Sequence, residues 1–387
     1  MTRTLVVLPS VSAVPEGDAL FLDRKAVEGL QAYARLWPGP VRCAMRAGQR
    51  HDIAFGSLYR PQDLPVEIRV IGQDALAEPG LFDDTAVIMA AGDIHVDFAL
   101  AGAVSAPLVY IIEYTLATRL RINRLYNGLS VQMAKSGVWT IGMERRRRRA
   151  FARSQGLQCN GTPAFNAYRR LTPAPLLYLD TRTSDAKQIG AEALAEKHRQ
   201  MRAGGPLRIA FSGRLERMKG ADHLLPVADA LVRAGLDFTL DVYGDGDLRA
   251  GMAARIAATG LGNRVTLHGP VPFEEALIPA MIARTDLFLC CHRQSDPSCT
   301  YMETLSCGVP IVGYNNAAFR GITRLGEIGL RVPMDSVDGA AAAIISLSND
   351  RARLVALSTN AAALGREHSF EREFERRIDH LRQVAGL

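Results

Sequence analysis

The sequence predicts an α/β protein of two doubly wound domains, each a parallel sheet with helices on both faces. Three observations carry that expectation. Short apolar runs of strand length alternate with amphipathic stretches of helix length through most of the chain. The 387 residues are too many for one ordinary domain and comfortable for two. A polar stretch from about Thr181 to Gly205, with a charged helical segment over 186–202 closed by Gly204-Gly205-Pro206, separates the halves as a linker or a linking helix. The expected layout is therefore a first domain over 1–185, a linker over 186–205 and a second domain over 206–365.

In the first half, Leu5 to Leu8 reads as a strand, and a helical pattern runs from about Phe21 to Leu36. Further strands are expected at Ile68 to Ile71, Ala86 to Met89 and Leu108 to Ile112. The second half repeats the rhythm more cleanly. Leu207 to Phe211 is a buried strand, and the loop from Ser212 to Gly220 leads into a helix ending near Gly235. Strands follow at Phe238 to Tyr243, Val265 to His268, Leu287 to Cys291 and Val309 to Val312. Between them lie helices up to Gly260, from Phe273 to Ala283, and from near Thr300 to the stop at Gly308. Two more helices are expected near Val337 to Leu347 and Asp350 to Leu364.

Composition bounds the function. Hydrophobic residues make up 48% and charged residues 22%, ordinary globular usage that excludes wholesale disorder. The net charge of +6 favours anionic partners without choosing among them. The six cysteines form no C-x-x-C pair, so neither a zinc site nor a disulfide framework is expected, and a reducing cytoplasm fits. The first apolar run is too short for a signal peptide, and no run of about 18 apolar residues occurs, so a membrane would be met from its surface.

Two segments point to chemistry. Gly213-Arg214 and Lys219-Gly220 follow a strand and open a helix, where backbone N–H groups and the positive helix end suit a phosphate. Arg214 and Lys219, five positions apart, can converge on one diphosphate; the alternative is a solvated basic turn, since Arg217 lies there too. The second segment, Ser295 to Glu303 followed by Gly308-Val-Pro310, is a polar loop at the carboxyl end of a parallel strand, where open α/β sheets bind ligands. Ser298 suits an N-cap, with Pro297 stiffening the approach. Glu303 can accept hydrogen bonds from sugar hydroxyls, or it can serve only as a partner of the helix dipole in the first turn.

In this order and about 90 residues apart, the two segments resemble the family 4 glycosyltransferases of the GT-B fold, two Rossmann-like domains facing a cleft. The resemblance covers Leu207 to Leu364, that family's donor domain. It implies that Arg214 and Lys219, beside Gly213, hold the donor diphosphate and that Glu303 holds the ribose. It also implies that the loop from Pro297 to Thr300, with Ser298 and Cys299, offers backbone N–H groups to the sugar and the distal phosphate. His268, at the end of its strand, would lie beside the nucleotide base, or be an ordinary strand-end residue. The family carries two glutamates separated by seven residues. Here the first position is Ser295, and Asp296 is one residue later with a shorter reach.

Other signals are weaker. Gly244-Asp-Gly-Asp247 looks like a dinucleotide fingerprint or a metal-binding pair, but the third glycine is replaced by Arg249, and a plain turn is the stronger reading. No metal site is expected. On the acceptor side, His95 and Glu113 follow strands and are candidates for the site; a loop histidine is the blander reading of the first. Arg119, Arg121 and Arg124 read as a solvated helix face, and Asn160-Gly-Thr-Pro163 as a turn or a ligand contact. The run Arg145 to Arg149 points all round a helix, which fits either a solvated basic helix or attraction to acidic lipid head groups; few aromatics are interleaved, so nucleic acid is not an expected partner. Phe370, Phe374, Ile378 and Leu381 form one apolar stripe on a last helix with charged remaining faces. By resemblance this helix, 366–387, packs back on the first domain.

The resemblance thus implies a retaining glycosyltransferase. It would use a UDP- or GDP-sugar and no tightly bound cofactor. Its acceptor would be a glycan or a lipid-linked molecule in cell-surface polysaccharide or glycoconjugate synthesis. It would work in the cytoplasm, with a peripheral contact at the inner membrane face. A soluble enzyme making a small glycoside and a non-catalytic sugar-nucleotide-binding scaffold are the alternatives.

Overall fold

Buried apolar runs form the strands of two wholly parallel sheets, one in each of the two units into which the chain divides. The computed structural model describes residues 3–53, 56–295 and 298–387. The first unit comprises Met1–Arg119, Ser130–Tyr178 and Glu373–Leu387, and the second Leu120–Leu129 and Leu179–Arg372.

The first unit opens with β1 (Thr4–Leu8), then β2 (Val14–Glu16), β3 (Ala19–Asp23), α1 (Arg24–Leu36), β4 (Val41–Arg46), β5 (Gly56–Tyr59) and β6 (Glu67–Ile71). It continues with β7 (Thr85–Ala91), β8 (Leu108–Ile112), the start of α2 (Leu116–Asn127), α3 (Val131–Arg153), β9 (Gly156–Asn160), α4 (Gly161–Tyr168) and β10 (Ala174–Tyr178). Its seven-stranded sheet has the order β10-β9-β8-β7-β1-β4-β6. The chain order reverses between β1 and β7, so ligand-binding loops are expected at the carboxyl ends of those strands. Its core includes Val6, Ile88, Tyr110, Phe151, Leu157 and Tyr168.

The expected helix from Phe21 begins instead at Arg24. Residues 19–23 pair antiparallel with β5, and the Asp23 carboxylate caps α1 by accepting from the Ala26 N–H at 3.0 Å. Strands β4 and β9 were not expected, because polar residues interrupt their apolar pattern; β10, five residues beginning Ala-Pro, was not expected either. The polar positions are satisfied by tertiary partners, as Gln158 is by the main-chain oxygen of Arg377 at 2.9 Å.

The second unit contains α5 (Ala191–Ala203), β11 (Leu207–Ser212), α6 (Leu224–Arg233), β12 (Phe238–Tyr243), α7 (Arg249–Thr259), β13 (Val265–Gly269), α8 (Ile278–Arg284) and β14 (Leu287–Cys290). It ends with α9 (Cys299–Ser306), β15 (Ile311–Tyr314), α10 (Ala317–Ile322), β16 (Gly329–Val332), α11 (Val337–Asn349) and α12 (Arg351–Glu367). The sheet order is β13-β12-β11-β14-β15-β16, with the reversal between β11 and β14. Phe211 and Phe288, on those two strands, stack with ring centroids 6.1 Å apart at the middle of the core.

The expected helix from Phe273 to Ala283 is α8 preceded by a wide turn, Phe273–Leu277, in which the Ile278 N–H reaches back five residues to Phe273. Pro279 lacks an N–H and its ring crowds the carbonyl four residues earlier, so the regular ladder cannot run through it. The stretch expected as a linker carries α5, which packs into the second unit. The buried Lys197 ammonium there donates to the main-chain oxygens of Met281 and Thr285, and burial lowers its pKa to about 8.

The last helix is α13 (Phe370–Ala385). From Glu373 onward it lies in the first unit, where Phe374 meets the Tyr33 ring edge-on at 5.2 Å. Its charged faces are not all solvated. Arg377 is buried among the Tyr33, Tyr178 and Phe374 rings and donates to Gln158 Oε1 at 2.9 Å. A guanidinium can lie on aromatic faces while its N–H fork is satisfied in its plane.

Candidate active site

The two segments singled out in the second half flank the β11/β14 reversal of the sheet. Beyond β11 the chain passes Gly213, and the Gly244 loop lies so close that a Cβ on Gly244 would stand 2.0 Å from the Gly213 carbonyl oxygen. A single tight turn, Arg217–Lys219, is then closed by Gly220 in the left-handed conformation, φ 68°. A Cβ at Gly220 would sit 1.9 Å from the carbonyl oxygen of Cys291, just past β14. The Arg293 and Gln294 N–H groups donate to the Met218 carbonyl at 3.0 and 3.4 Å. Backbone contact therefore binds the Lys219 turn to the loop after β14.

Within this frame Lys219 and Arg214 are unlike. Lys219 is buried, and its ammonium makes no hydrogen bond or ion pair among the described residues. Arg214 is largely exposed and its guanidinium donates to Glu216 at 3.0 Å. Glu216 also accepts from the Tyr126 hydroxyl at 3.2 Å.

Glu303 is buried and is the fifth residue of α9, beyond the first turn, so it is not the helix-dipole partner that the sequence allowed. Its carboxylate accepts from Arg182 Nε at 2.8 Å, and the Arg182 guanidinium lies 3.9 Å from the centre of the Phe273 ring. Ser298 stands at the N-cap position, but its hydroxyl donates to Thr300 Oγ1 at 3.1 Å instead of capping a helix N–H. The Cys299 thiol donates to Asp180 at 3.2 Å. Asp296 and Pro297 lie outside the described residues. Ser295 is buried, and its hydroxyl accepts from Arg121 Nη1 at 2.8 Å and from the Ala317 N–H at 3.4 Å. Arg121 is thus bonded to this loop, which corrects the expectation of a solvated helix face. His268 stacks on Tyr243 at 4.6 Å and donates to Asp241 at 2.6 Å.

The Gly244-Asp-Gly turn carries no ligand set: Asp245 accepts from its neighbour Gly246 N–H at 2.9 Å and faces Arg249 at 3.6 Å. Among the described residues no three His, Cys, Asp or Glu side chains gather as a metal site.

In the first unit a charged cluster stands at the carboxyl end of β7. Asp93 accepts from Arg119, from Arg147 at 3.1 Å and from the Glu113 N–H at 3.2 Å. Arg147, third of the five consecutive arginines, is fully buried; it also donates to the Tyr114 carbonyl at 2.7 Å and lies over the Phe151 and Tyr168 rings. The run is therefore not a uniformly solvated helix, because position 147 falls on the core face of α3. The Glu113 side chain is exposed beside this cluster. His95 is exposed and meets Trp139 edge-on at 6.2 Å, away from the Asp93 cluster's bonds. Asn160 precedes α4, and Gly161 turns the chain with φ 76°. No helix among the described residues is long and apolar enough to cross a membrane.

Residues 195–364 match the family of glycosyl transferases group 1. The matched stretch contains the Lys219 turn, the Ser295 loop and Glu303. A 2-deoxystreptamine glucosyltransferase of Streptomyces kanamyceticus is 32% identical over 136 residues, 35% of this chain and 34% of that protein. The lipopolysaccharide core biosynthesis mannosyltransferase LpsB of Rhizobium meliloti (strain 1021) is 28% identical over 162 residues, 40% of this chain and 45% of that protein. The similarity to these curated relatives thus spans less than half of their length. Among solved structures, Anabaena Alr3699/HepE in complex with UDP is similar over 100% of both chains, with a TM-score of 0.69 at 16% identity. A sucrose-phosphate synthase from Thermosynechococcus elongatus covers 98% of both, with a TM-score of 0.68 at 16% identity. At those identities the likeness is one of fold, and it agrees with the two Rossmann-like domains the sequence predicts.

Three residues in or beside the matched stretch were not found by sequence reasoning. Arg182 lies in the polar stretch before it, and Arg121 lies far away in sequence; no local pattern connects either to its partner. His292 follows β14 with its ring fully buried, edge-on to Phe211 and Tyr301, and neither ring nitrogen has a partner among the described residues. Burial, with Lys219 nearby, holds its imidazole well below the ordinary pKa, so it is neutral. Its one signal in the sequence is a polar residue directly after a buried apolar strand.

Proposed function

We propose that this chain is a glycosyltransferase that moves a sugar from a nucleotide-sugar donor to a glycan or lipid-linked acceptor in cell-surface polysaccharide or glycoconjugate synthesis. The observation that carries the reading is Lys219: a buried side chain whose ammonium has no partner among the described residues, at the reversal point of a sheet inside the region that matches the group 1 family. An anion is what that position lacks, and a diphosphate supplies it. The bond from the anomeric carbon to the phosphate oxygen breaks, and its electron pair leaves with the diphosphate. Lys219 and the N–H groups at the start of α9 stabilise that growing charge, and such preorganised donors are each worth on the order of 10² to 10³ in rate. Arg214 joins them by exchanging Glu216 for phosphate. Glu303, oriented by Arg182, accepts from the ribose, and His268 with Tyr243 lies toward the base. Asp93 and Glu113 belong to the acceptor side. Retention of anomeric configuration follows from the family resemblance, as does the absence of a tightly bound cofactor.

Lipopolysaccharide synthesis by one relative supports a glycan or lipid-linked acceptor. A second reading is favoured by the 2-deoxystreptamine glucosyltransferase: a small free molecule as acceptor. An acceptor assay with lipid-linked glycans against small aminocyclitols decides between them. A lipid-linked acceptor also implies a peripheral contact at the cytoplasmic membrane face. Helix α3 carries the exposed Val138 and Trp139 before its arginines, a combination suited to an anionic surface. Sedimentation with anionic vesicles at low salt and release at high salt checks this, and indifference to vesicles removes it.

Thermal unfolding with UDP, GDP, ADP and their sugar conjugates tests the donor site, beginning with UDP because the Anabaena neighbour is in complex with it. A ligand at about 100 times its Kd stabilises by about 2.7 kcal/mol. The expected result is a shift with one base in the wild type and none in Lys219→Ala. No shift with any nucleotide overturns the reading.

A further inference from the structure

Two cations flank the loop over 291–295, and neither meets a carboxylate among the described residues. Lys219 is on one side. On the other, Arg121 donates to Ser295 Oγ at 2.8 Å and to the Arg293 carbonyl at 3.2 Å, both neutral acceptors. The other basic groups of the loop are spoken for. Arg293 is neutralised by Asp222 at 2.6 Å and Asp335 at 2.5 Å. His292 is neutral through burial. A donor diphosphate compensates Lys219 and leaves Arg121 with no counter-charge among the described residues.

The position Arg121 holds is informative. Ser295 stands where the resemblance to family 4 glycosyltransferases expects a glutamate directed at the donor sugar. A glutamate there would pair with Arg121 and cancel it. Serine accepts the guanidinium, and with the Ala317 N–H as a second donor to its hydroxyl it is itself fixed. At position 295 an acid that would accept from sugar hydroxyls is thus replaced by a serine that holds a guanidinium, which donates. A planar guanidinium fork matches a carboxylate with two parallel hydrogen bonds, a geometry that neutral hydroxyls do not reproduce.

We propose that Arg121 reads a carboxylate on the donor sugar, so that the donor is a nucleotide-linked sugar acid, a hexuronate, instead of a neutral hexose. Ser295 is the positioning residue that holds Arg121 at the sugar. The inference rests on the donor-site reading above, and its test separates the two.

The test is calorimetric titration of the full chain with free UDP, UDP-glucose and UDP-glucuronate, and with GDP, GDP-mannose and GDP-mannuronate. Within each set the two sugars differ only in a CH2OH against a carboxylate. Wild type, Arg121→Gln, Arg121→Lys and Lys219→Ala are compared. Arg121 is exposed, so its replacement leaves the fold intact, which the unfolding temperature of each variant verifies. The wild type is expected to bind the uronate conjugate about tenfold or more tighter than the neutral one, the range of a charge-assisted pair. Arg121→Gln is expected to abolish that preference while binding the free nucleoside diphosphate within about twofold of wild type, and Arg121→Lys to keep part of it. Lys219→Ala is expected to weaken all ligands together. Equal or tighter wild-type binding of the neutral conjugates overturns the proposal. A loss of free diphosphate affinity in Arg121→Gln as large as the loss of conjugate affinity also overturns it, because Arg121 then serves the phosphates. Failure of every nucleotide to bind the wild type overturns the donor site itself, and this proposal with it.

Discussion

Arg182 and Glu303 hold each other in place although 121 residues separate them: Nε donates to Oε1 at 2.8 Å. The Glu303 side chain is buried and that of Arg182 is 38% exposed, with its guanidinium over the Phe273 ring. Burial makes the acid rigid, and the partner fixes which oxygen remains available to a ligand. Glu303→Gln keeps the volume and removes the charge. Donor affinity is expected to fall about tenfold, the value of a hydrogen bond to a charged group. Stability is expected to fall by only about 1 kcal/mol, because the cationic partner is partly solvated. Nucleotide titration beside urea unfolding reads both, and an unchanged donor affinity removes Glu303 from the site.

Gly220 carries the turn that presents Lys219. Gly220→Ala places a methyl group against the Cys291 carbonyl and forces a side chain into left-handed backbone. The expected cost is about 1–3 kcal/mol for the backbone alone, with the contact adding to it. Nucleotide binding should weaken with it, since the turn and the Ser295 loop share that contact. A change within about 0.5 kcal/mol in urea unfolding would contradict the geometry.

The five consecutive arginines should separate sharply on mutation. Arg147→Met removes a buried cation and leaves Asp93 and Glu144 without it. Breaking such a buried pair costs about 3–5 kcal/mol. Arg146→Met changes an exposed position, with an expected effect within about 0.5 kcal/mol. Equal effects in denaturant unfolding would show that α3 does not present position 147 to the core.

Burial lowers the pKa of His292, and also those of His198, His223 and His380. The unfolded chain takes up these protons near pH 6.5, and the folded chain only at lower pH. Below about pH 6.5 the unfolded state therefore binds more protons, so stability is full above that pH and falls as pH decreases. One such proton contributes at most about 1.4 kcal/mol per pH unit. Unfolding free energies at pH 7.5 and 5.5 should differ in that direction, and His292→Gln should reduce the slope. A slope unaffected by His292→Gln would mean that the imidazole is not held neutral.

Much of the second unit could be read from its sequence. Strongly apolar runs such as Leu207 to Phe211, broken only by Arg208, and Leu287 to Cys291 read as buried strands, and glycines at 220 and 308 close turns that need left-handed backbone. The Lys219 turn and the Glu303 helix follow from that local pattern. The first unit was harder to read. Strands β4 and β9 contain arginine, glutamine and asparagine whose partners come from distant elements, as Arg377 serves Gln158. A polar residue with a distant partner has the same local signature as a loop residue.

By itself the sequence determined the two-sheet α/β plan and the position, at strand ends, of the turn that carries Lys219 and the loop that leads to Glu303. These depend on periodicity and turn chemistry, which act over a few residues. The tertiary structure alone decided which charges are compensated. Arg214 is committed to Glu216, Arg293 to two aspartates and Glu303 to Arg182, while Lys219 and Arg121 face no carboxylate among the described residues. Electrostatic pairing depends on distance in space, which the folded chain sets and sequence separation does not.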